Sequence, residues 1–317
     1  MKDLNINFPL DKFEKLIFDI GWESLDDWFK FWNNQRNILS IDQYWNNKVN
    51  EDWIWGLALP LLSQAYRFHN NFSNRKIIGI SALPGTGKST LGNWLEAISL
   101  NLNFKIAVIS IDDFYLPSDE MKLAIKNNPW NVSRGFPGSH SVKLMYEKLL
   151  YWKINGELNV PVFDKSLRNG LGDRSHWRFD NPDLVILEGW FLGIEPCSID
   201  VKDQHIQSAI LSPNESRYTL KIQKNLNEYL DVWTLIDNIW HFKPLKFEYM
   251  NIWKSFQEKE MLLKKGNALQ DEKLSNFLRM LNVSIPRKSF DFINSYALLL
   301  IDQGRNLVEA RLNFYNS

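Results

Sequence analysis

Nine residues, Ala82-Leu-Pro-Gly-Thr-Gly-Lys-Ser-Thr90, have the types and spacing to hold a polyphosphate. They follow a short apolar run, Lys76-Ile-Ile-Gly-Ile-Ser81, and precede a helical pattern through Leu91, Trp94 and Leu95. That is the strand, glycine-rich loop and helix order of a phosphate-binding loop. Gly85 and Gly87 let the backbone between Pro84 and Thr86 turn tightly, so that loop amides and the helix N-terminus face the phosphates. Lys88 would reach the β- and γ-phosphates, and the Ser89 hydroxyl, followed by Thr90, would ligate Mg²⁺. A nucleoside triphosphate with Mg²⁺ is therefore expected. Ala82 departs from the pattern G-x-x-x-x-G-K-[S/T], standing at its first glycine.

Phosphoryl transfer to a small molecule needs a base near the acceptor hydroxyl and a second acid for the metal shell. Asp112 and Asp113 follow the apolar run Lys105 to Ser110, and Glu188 ends the run Leu184-Val-Ile-Leu. Acids in those places sit at the C-terminal ends of strands, the edge where open α/β sheets bind ligands.

These residues lie in motifs that carry a resemblance. Ser110-Ile-Asp-Asp-Phe-Tyr-Leu, Arg134-Gly-Phe-Pro-Gly-Ser-His140, Pro161-Val-Phe-Asp-Lys-Ser166, Gly170-Leu-Gly-Asp-Arg174 and Leu187-Glu-Gly-Trp-Phe-Leu-Gly193 resemble the D-glycerate 3-kinase family. That family belongs to a wider group of P-loop kinases containing uridine kinase, pantothenate kinase and phosphoribulokinase. The likeness runs from about Lys76 to the C-terminus, and its motifs are concentrated between 79 and 193.

The resemblance implies transfer of phosphate from ATP to the C3 hydroxyl of D-glycerate. It also implies roles. Asp112 would be the base, Asp113 would lie in the metal or water shell, and Glu188 would be the Mg²⁺-associated acid. Residues 165 to 179 would form a lid whose Arg168 and Arg174 clamp the γ-phosphate. Arg134, His140 and Lys165 would bind the acceptor. Where an acidic residue is expected after the Gly-x-His motif, this chain has Ser141. Glycerate offers a carboxylate that Arg recognises bidentately and two hydroxyls that need partners. A nucleoside would need an aromatic slot instead, and the surplus of Trp and Phe leaves that open, as it does pantothenate or a sugar phosphate.

The elements that must position these groups read as alternating strands and helices. Strands are expected at 76–81, 105–110, 184–187, 234–240 and 297–301, with helices at 88–101, 141–153, 214–230 and 247–265. The pattern predicts a three-layer α/β fold around a mostly parallel sheet over 73–317. Residues 164–179, poor in aliphatics, read as a loop or lid. The adenine contacts are expected in the weakly patterned C-terminal third. Residues 1–72 read as a helical segment packed on that core, carrying Trp22, Trp28, Trp32, Trp45, Trp53 and Trp55. Their large aromatic faces must be buried, either on the core or against a partner.

Composition sets the remaining bounds. Thirty-seven basic residues against 37 acidic ones give a net charge of zero over 317 residues. No broad basic surface for nucleic acid or an acidic membrane is expected. A lone cysteine, Cys197, and an opening stretch with Asp3, Asp11, Glu14, Asp19 and Glu23 point to a cytoplasmic protein without a signal or transit peptide. The oligomeric state is not legible. The rival of another class, a nucleotide-dependent switch or partner-binding module, would not need a base aimed at an acceptor hydroxyl.

Overall fold

Side chains of the first strand alternate between two cores. In the computed structural model, which describes residues 6–39, 50–71, 73–197, 211–265, 268–269 and 271–313, Ile78 and Ile80 pack into one core while Ile77 joins the other. The same division runs through Ile106 and Ala107, Leu184 and Val185, and Ile186 and Leu187. Strands buried on both faces need helices on both faces, and a three-layer α/β arrangement follows.

In chain order the strands are β1 (Ile77–Ala82), β2 (Ile106–Ser110), β3 (Leu158–Asp164), β4 (Asp173–Asp180), β5 (Leu184–Gly189), β6 (Asn238–Pro244), β7 (Ala297–Ile301) and β8 (Leu307–Leu312). The helices are α1 (Leu10–Ile20), α2 (Leu25–Ile38), α3 (Glu51–Trp53), α4 (Leu59–Asn71), α5 (Lys88–Asn101), α6 (Ser118–Ala124), α7 (Val142–Asn155), α8 (Pro213–Thr234), α9 (Tyr249–Lys265) and α10 (Asp271–Val283). A π-helical turn, Ile54–Ala58, joins α3 to α4. The main sheet has the order β2-β5-β1-β6-β7-β8, parallel except for β8, which runs antiparallel to β7. From β1 the chain crosses by α5 to β2, beyond β5, while β6 flanks β1 on its other side. The strand order thus reverses at β1, where such sheets open a ligand crevice.

Helices α1, α2, α4 and α5 and the π-helical turn share one core with the sheet, through Phe13, Trp28, Trp32, Trp55, Leu62 and Trp94, all almost fully buried. Helices α7, α8 and α10 cover the opposite face. Trp45 lies outside the described residues. No helix among the described residues is long and apolar enough to cross a membrane.

One polar group locks the opening helices together. Both Trp28 Nε1 and Trp32 Nε1 donate to Ser63 Oγ, at 3.0 and 2.8 Å, and that hydroxyl donates to Leu59 O at 2.7 Å. Ser63→Ala leaves two buried indole N–H groups without an acceptor. We expect it to lower the unfolding free energy by about 2–4 kcal/mol, the cost of orphaning two such donors. Urea denaturation checks this, and a loss below about 0.5 kcal/mol would mean that water satisfies both donors.

Two expectations need correction. The strand expected at 234–240 is displaced, because α8 continues to Thr234 and β6 begins at Asn238. Asp237 forms the turn between them, its carboxylate accepting from Ile77 N at 2.8 Å and from the Lys76 and Lys153 ammonium groups. The segment 164–179 is not a loop throughout. β3 and β4 pair as an antiparallel hairpin, and only residues 165–172 form its tip. β4 escaped the periodicity reading because its partly buried arginines make hydrogen bonds rather than apolar contacts. Arg178 reaches Val108 O and Glu96, and Arg174 reaches Tyr115 O.

Candidate active site

The phosphate loop joins β1 to α5 at the sheet's C-terminal edge. Gly85 and Gly87 adopt φ of 81° and 103°, conformations that a side chain strains. A Cβ on Gly85 would also lie 2.7 Å from the Trp253 backbone carbonyl carbon, because α9 crosses directly behind the loop. Ala82, the departure from the motif, is in regular strand pairing with Phe242, so no glycine is required there. Thr86 is buried, its hydroxyl donating to Leu83 O at 2.9 Å, whereas Ser89 and Thr90 are exposed toward the cleft. Lys88 folds back to donate to Ala82 O at 2.7 Å and Leu83 O at 3.2 Å, with Glu188 Oε2 at 3.9 Å. Burial lowers the Lys88 pKa and raises that of Glu188, and each opposes the shift of the other. Trp53 of the opening segment comes within 3.8 Å of where a Cβ on Gly87 would be, so the loop has an aromatic floor.

Asp112 stands on a short turn after β2. That turn is capped reciprocally: Asp112 N donates to Ser110 Oγ at 3.2 Å, and Ser110 N donates to Asp113 Oδ2 at 3.1 Å. Asp112 Oδ2 accepts from Lys165 Nζ at 2.8 Å, and Oδ1 lies 3.9 Å from His140 Nε2. Burial alone would push the Asp112 carboxyl up, but Lys165 and then His140 outweigh it and hold it well below the usual carboxylate range. The Lys165 side chain stays 53% exposed, so water screens the pair. Parallel pairing sets Ser110 beside Glu188, and Glu188 beside Ile80 of β1. Three strand ends thus bring the loop, Asp112 and Glu188 around one cleft of about 450 Å³.

The structure gathers Pro84, Gly85, Gly87, Lys88, Ser89, Thr90, Asp112, Asp113, Lys165 and Glu188 on the walls of this cleft. It gives other predicted residues different work. Asp113 lines the wall with both oxygens engaged, by Ser110 N and by Phe163 N at 3.4 Å, and burial pushes its carboxyl up to about 6. It ties β3 to the turn. Arg134 donates to Gly170 O and Leu171 O at 3.1 and 2.6 Å, holding the hairpin tip from behind Phe163. Arg168 pairs with Asp173 at 3.5 Å within the tip, and Arg174 donates to Tyr115 O and to Ser141 Oγ. None of these three arginines is on the cleft wall, because the hairpin's own geometry consumes them. Ser141, where an acid was expected, is the acceptor that fastens Arg174. His140 is buried behind Asp112 and does not line the cleft.

Sequence reading missed the opposite wall. Lys254 of α9 lines the cleft, pairs with Glu258 one helical turn on and lies 5.3 Å from the Phe277 ring centre. Phe256, Gln257 and Arg305 extend that wall, the last from the turn between β7 and β8. The only sequence signal was Lys254-x-x-x-Glu258 on an amphipathic helix, which reads equally well as a solvated pair.

No protein-family model matches the chain. The chloroplastic D-glycerate 3-kinase of Arabidopsis thaliana is 33% identical over 216 residues, 64% of this chain and 45% of that protein. The uncharacterized kinase mug58 of Schizosaccharomyces pombe is 31% identical over 222 residues, 64% of this chain and 76% of that protein. The chain belongs to the same P-loop kinase family as these relatives. Among solved structures, a D-glycerate 3-kinase from Cryptococcus neoformans superposes on the kinase with a TM-score of 0.68 at 25% identity, covering 80% of this chain and 96% of that one. In this kinase, as the geometry already required, the phosphate loop and the acidic strand ends form a single site.

Proposed function

We propose that the kinase transfers the γ-phosphoryl group of ATP to the C3 hydroxyl of D-glycerate, giving ADP and 3-phosphoglycerate. The observation that carries this reading is a half-buried acid, Asp112, held by the lid cation Lys165 in a cleft that also contains the phosphate loop and Lys254. The loop amides, Lys88 and Lys254 neutralise charge on the transferring group, Lys254 taking the part expected of Arg168 and Arg174. The acceptor oxygen bonds to the γ-phosphorus as the bond to ADP breaks, and its proton passes to Asp112. An acceptor carboxylate suits this arrangement. By drawing Lys165 off Asp112, it would remove the main influence holding that carboxyl down and leave a more basic acceptor for the proton.

Mg²⁺ fits the donors on the wall. Ser89 and Glu188 offer hard oxygens, and among the described residues no group of three acidic, histidine or cysteine side chains makes a full cage. That suits an ion that keeps waters and phosphate oxygens as its remaining ligands. When bound, it would neutralise charge between the β- and γ-phosphates. The base of ATP is assigned to the wall of Phe256 and Arg305.

Two relatives named D-glycerate 3-kinase support the acceptor. The aromatic walls Tyr115, Phe163 and Trp190 favour a second reading, a kinase for a nucleoside. ADP release with D-glycerate, L-glycerate, uridine and pantothenate, with the product's phosphate located by NMR, separates them. We expect turnover on D-glycerate alone, with phosphate on C3. Turnover on uridine or pantothenate without D-glycerate would replace the acceptor and keep the kinase.

A further inference from the structure

His140 packs behind Asp112 with an imidazole whose two nitrogens are in different circumstances. Its Nδ1 lies 2.7 Å from the Tyr229 hydroxyl of α8. That hydroxyl oxygen accepts from Gly138 N at 3.1 Å, and among the described residues Nδ1 is the one acceptor within reach of its own proton. The nearby Ser139 hydroxyl donates to Phe136 O at 2.6 Å, so it does not compete for the ring nitrogen. Nδ1 is then an acceptor, and the ring proton belongs on Nε2. This second nitrogen is buried, has no hydrogen-bond partner among the described residues, and points at Asp112 Oδ1 from 3.9 Å.

The ring has little freedom to turn. Tyr115 stacks on it with centroids 4.5 Å apart, and Phe191 meets it edge-on at 5.7 Å. The loop beneath is fastened to the same helix as Tyr229, with Asn225 Nδ2 donating to Pro137 O at 3.0 Å. Burial lowers the His140 pKa and raises that of Tyr229, which keeps the imidazole neutral and the phenol protonated.

We propose that Tyr229 is a positioning residue for phosphoryl transfer: through His140 it fixes the Nε2–H tautomer, whose N–H faces Asp112 Oδ1 and turns the other carboxylate oxygen to the acceptor. This rests on Asp112 being the base. A hydrogen bond fixing the tautomer of an imidazole that serves a reacting group is a recurrent device, and losing such a partner costs roughly ten- to hundredfold in activity.

The test uses the whole chain labelled with ¹⁵N-histidine, with the His140 resonances found among those of five histidines by comparison with His140→Gln. Long-range proton–nitrogen correlation spectra of the wild type should show protonated Nε2 and bare Nδ1. A protonated Nδ1 overturns the proposal without any enzyme assay. Tyr229→Phe, which deletes one oxygen, should mix the tautomers and lower kcat roughly ten- to hundredfold with the KM for ATP unchanged. His140→Gln, which can still present an N–H to Asp112, should retain more activity than His140→Ala, and adding Tyr229→Phe to it should cost nothing further. A Tyr229→Phe enzyme within about twofold of wild type, or an equal loss on either background, overturns the relay. Asp112→Asn is assayed in parallel. If it is inactive while Tyr229→Phe is normal, the relay alone fails; if it turns over at the wild-type rate, the base assignment fails and the relay with it.

Discussion

Asp112→Asn should lower turnover by about 10² to 10⁴ while ATP still binds. The size follows from what the change removes. The amide keeps the shape of the carboxylate and can still accept from Lys165, so the capped turn after β2 has no reason to rearrange. It cannot take a proton from the acceptor hydroxyl. The resting enzyme holds Asp112 ionised at neutral pH, because Lys165 and His140 more than offset its burial. An anion is therefore available to receive that proton, and the substitution is read directly in kcat. Stopped-flow turnover together with equilibrium titration of ATP separates the two effects. A rate near wild type would move the base elsewhere, and a parallel loss of ATP affinity would make Asp112 part of the phosphate site.

Lys88→Ala should damage both binding and catalysis. The ammonium sits at the start of α5 among Ala82 O, Leu83 O and Glu188, close enough to the loop to swing onto incoming phosphates. Electrostatic donors of this kind are worth about 10² to 10³ in kcat when removed from a transition state whose charge lies on the transferring group. Binding should weaken by about tenfold or more, since a charge-assisted bond to phosphate is among the stronger single contacts. The loss has a second source. Without Lys88 the buried Glu188 keeps the rise in pKa that burial causes and loses the partner that opposed it. Calorimetric titration of a non-hydrolysable ATP analogue measures the binding part. Unchanged affinity with unchanged turnover would mean that Lys254 alone carries the phosphate charge.

The phosphate loop was legible because its signal is local. Glycines at positive φ, a short apolar strand and a helix in phase with Leu91, Trp94 and Leu95 all lie within one stretch of chain. Asp112 and Glu188 were legible for a related reason, since a strand that ends in an acid announces an edge. The placement of the arginines was not legible, because charge does not reveal direction. Arg168 and Arg174 lie in a hairpin and Arg134 reaches its tip, and they are engaged by Asp173, by Tyr115 O and Ser141, and by the tip carbonyls respectively. Lys254 was invisible for the converse reason. Nothing in the composition of α9 says that its backbone passes 2.7 Å from a missing Cβ on Gly85, and only that approach turns an ordinary helical lysine toward the cleft. The extent of β6 was hidden by Lys243 and Pro244, which look like a loop until pairing with β7 carries the strand through them.

The turn between β7 and β8 is gripped from two directions. Trp53 Nε1 donates to Arg305 O, Asn50 Nδ2 to Asn306 Oδ1 at 3.0 Å, and Trp253 Nε1 to Gln303 O at 2.7 Å. Arg305, which this grip sets at φ 64°, faces the cleft. Trp53 touches both this turn and the floor of the phosphate loop, so the opening helices cannot be exchanged as an accessory while the catalytic residues are kept. A descendant or a redesign that replaced them would inherit every phosphate-binding residue and still have to rebuild the surface those residues rest on.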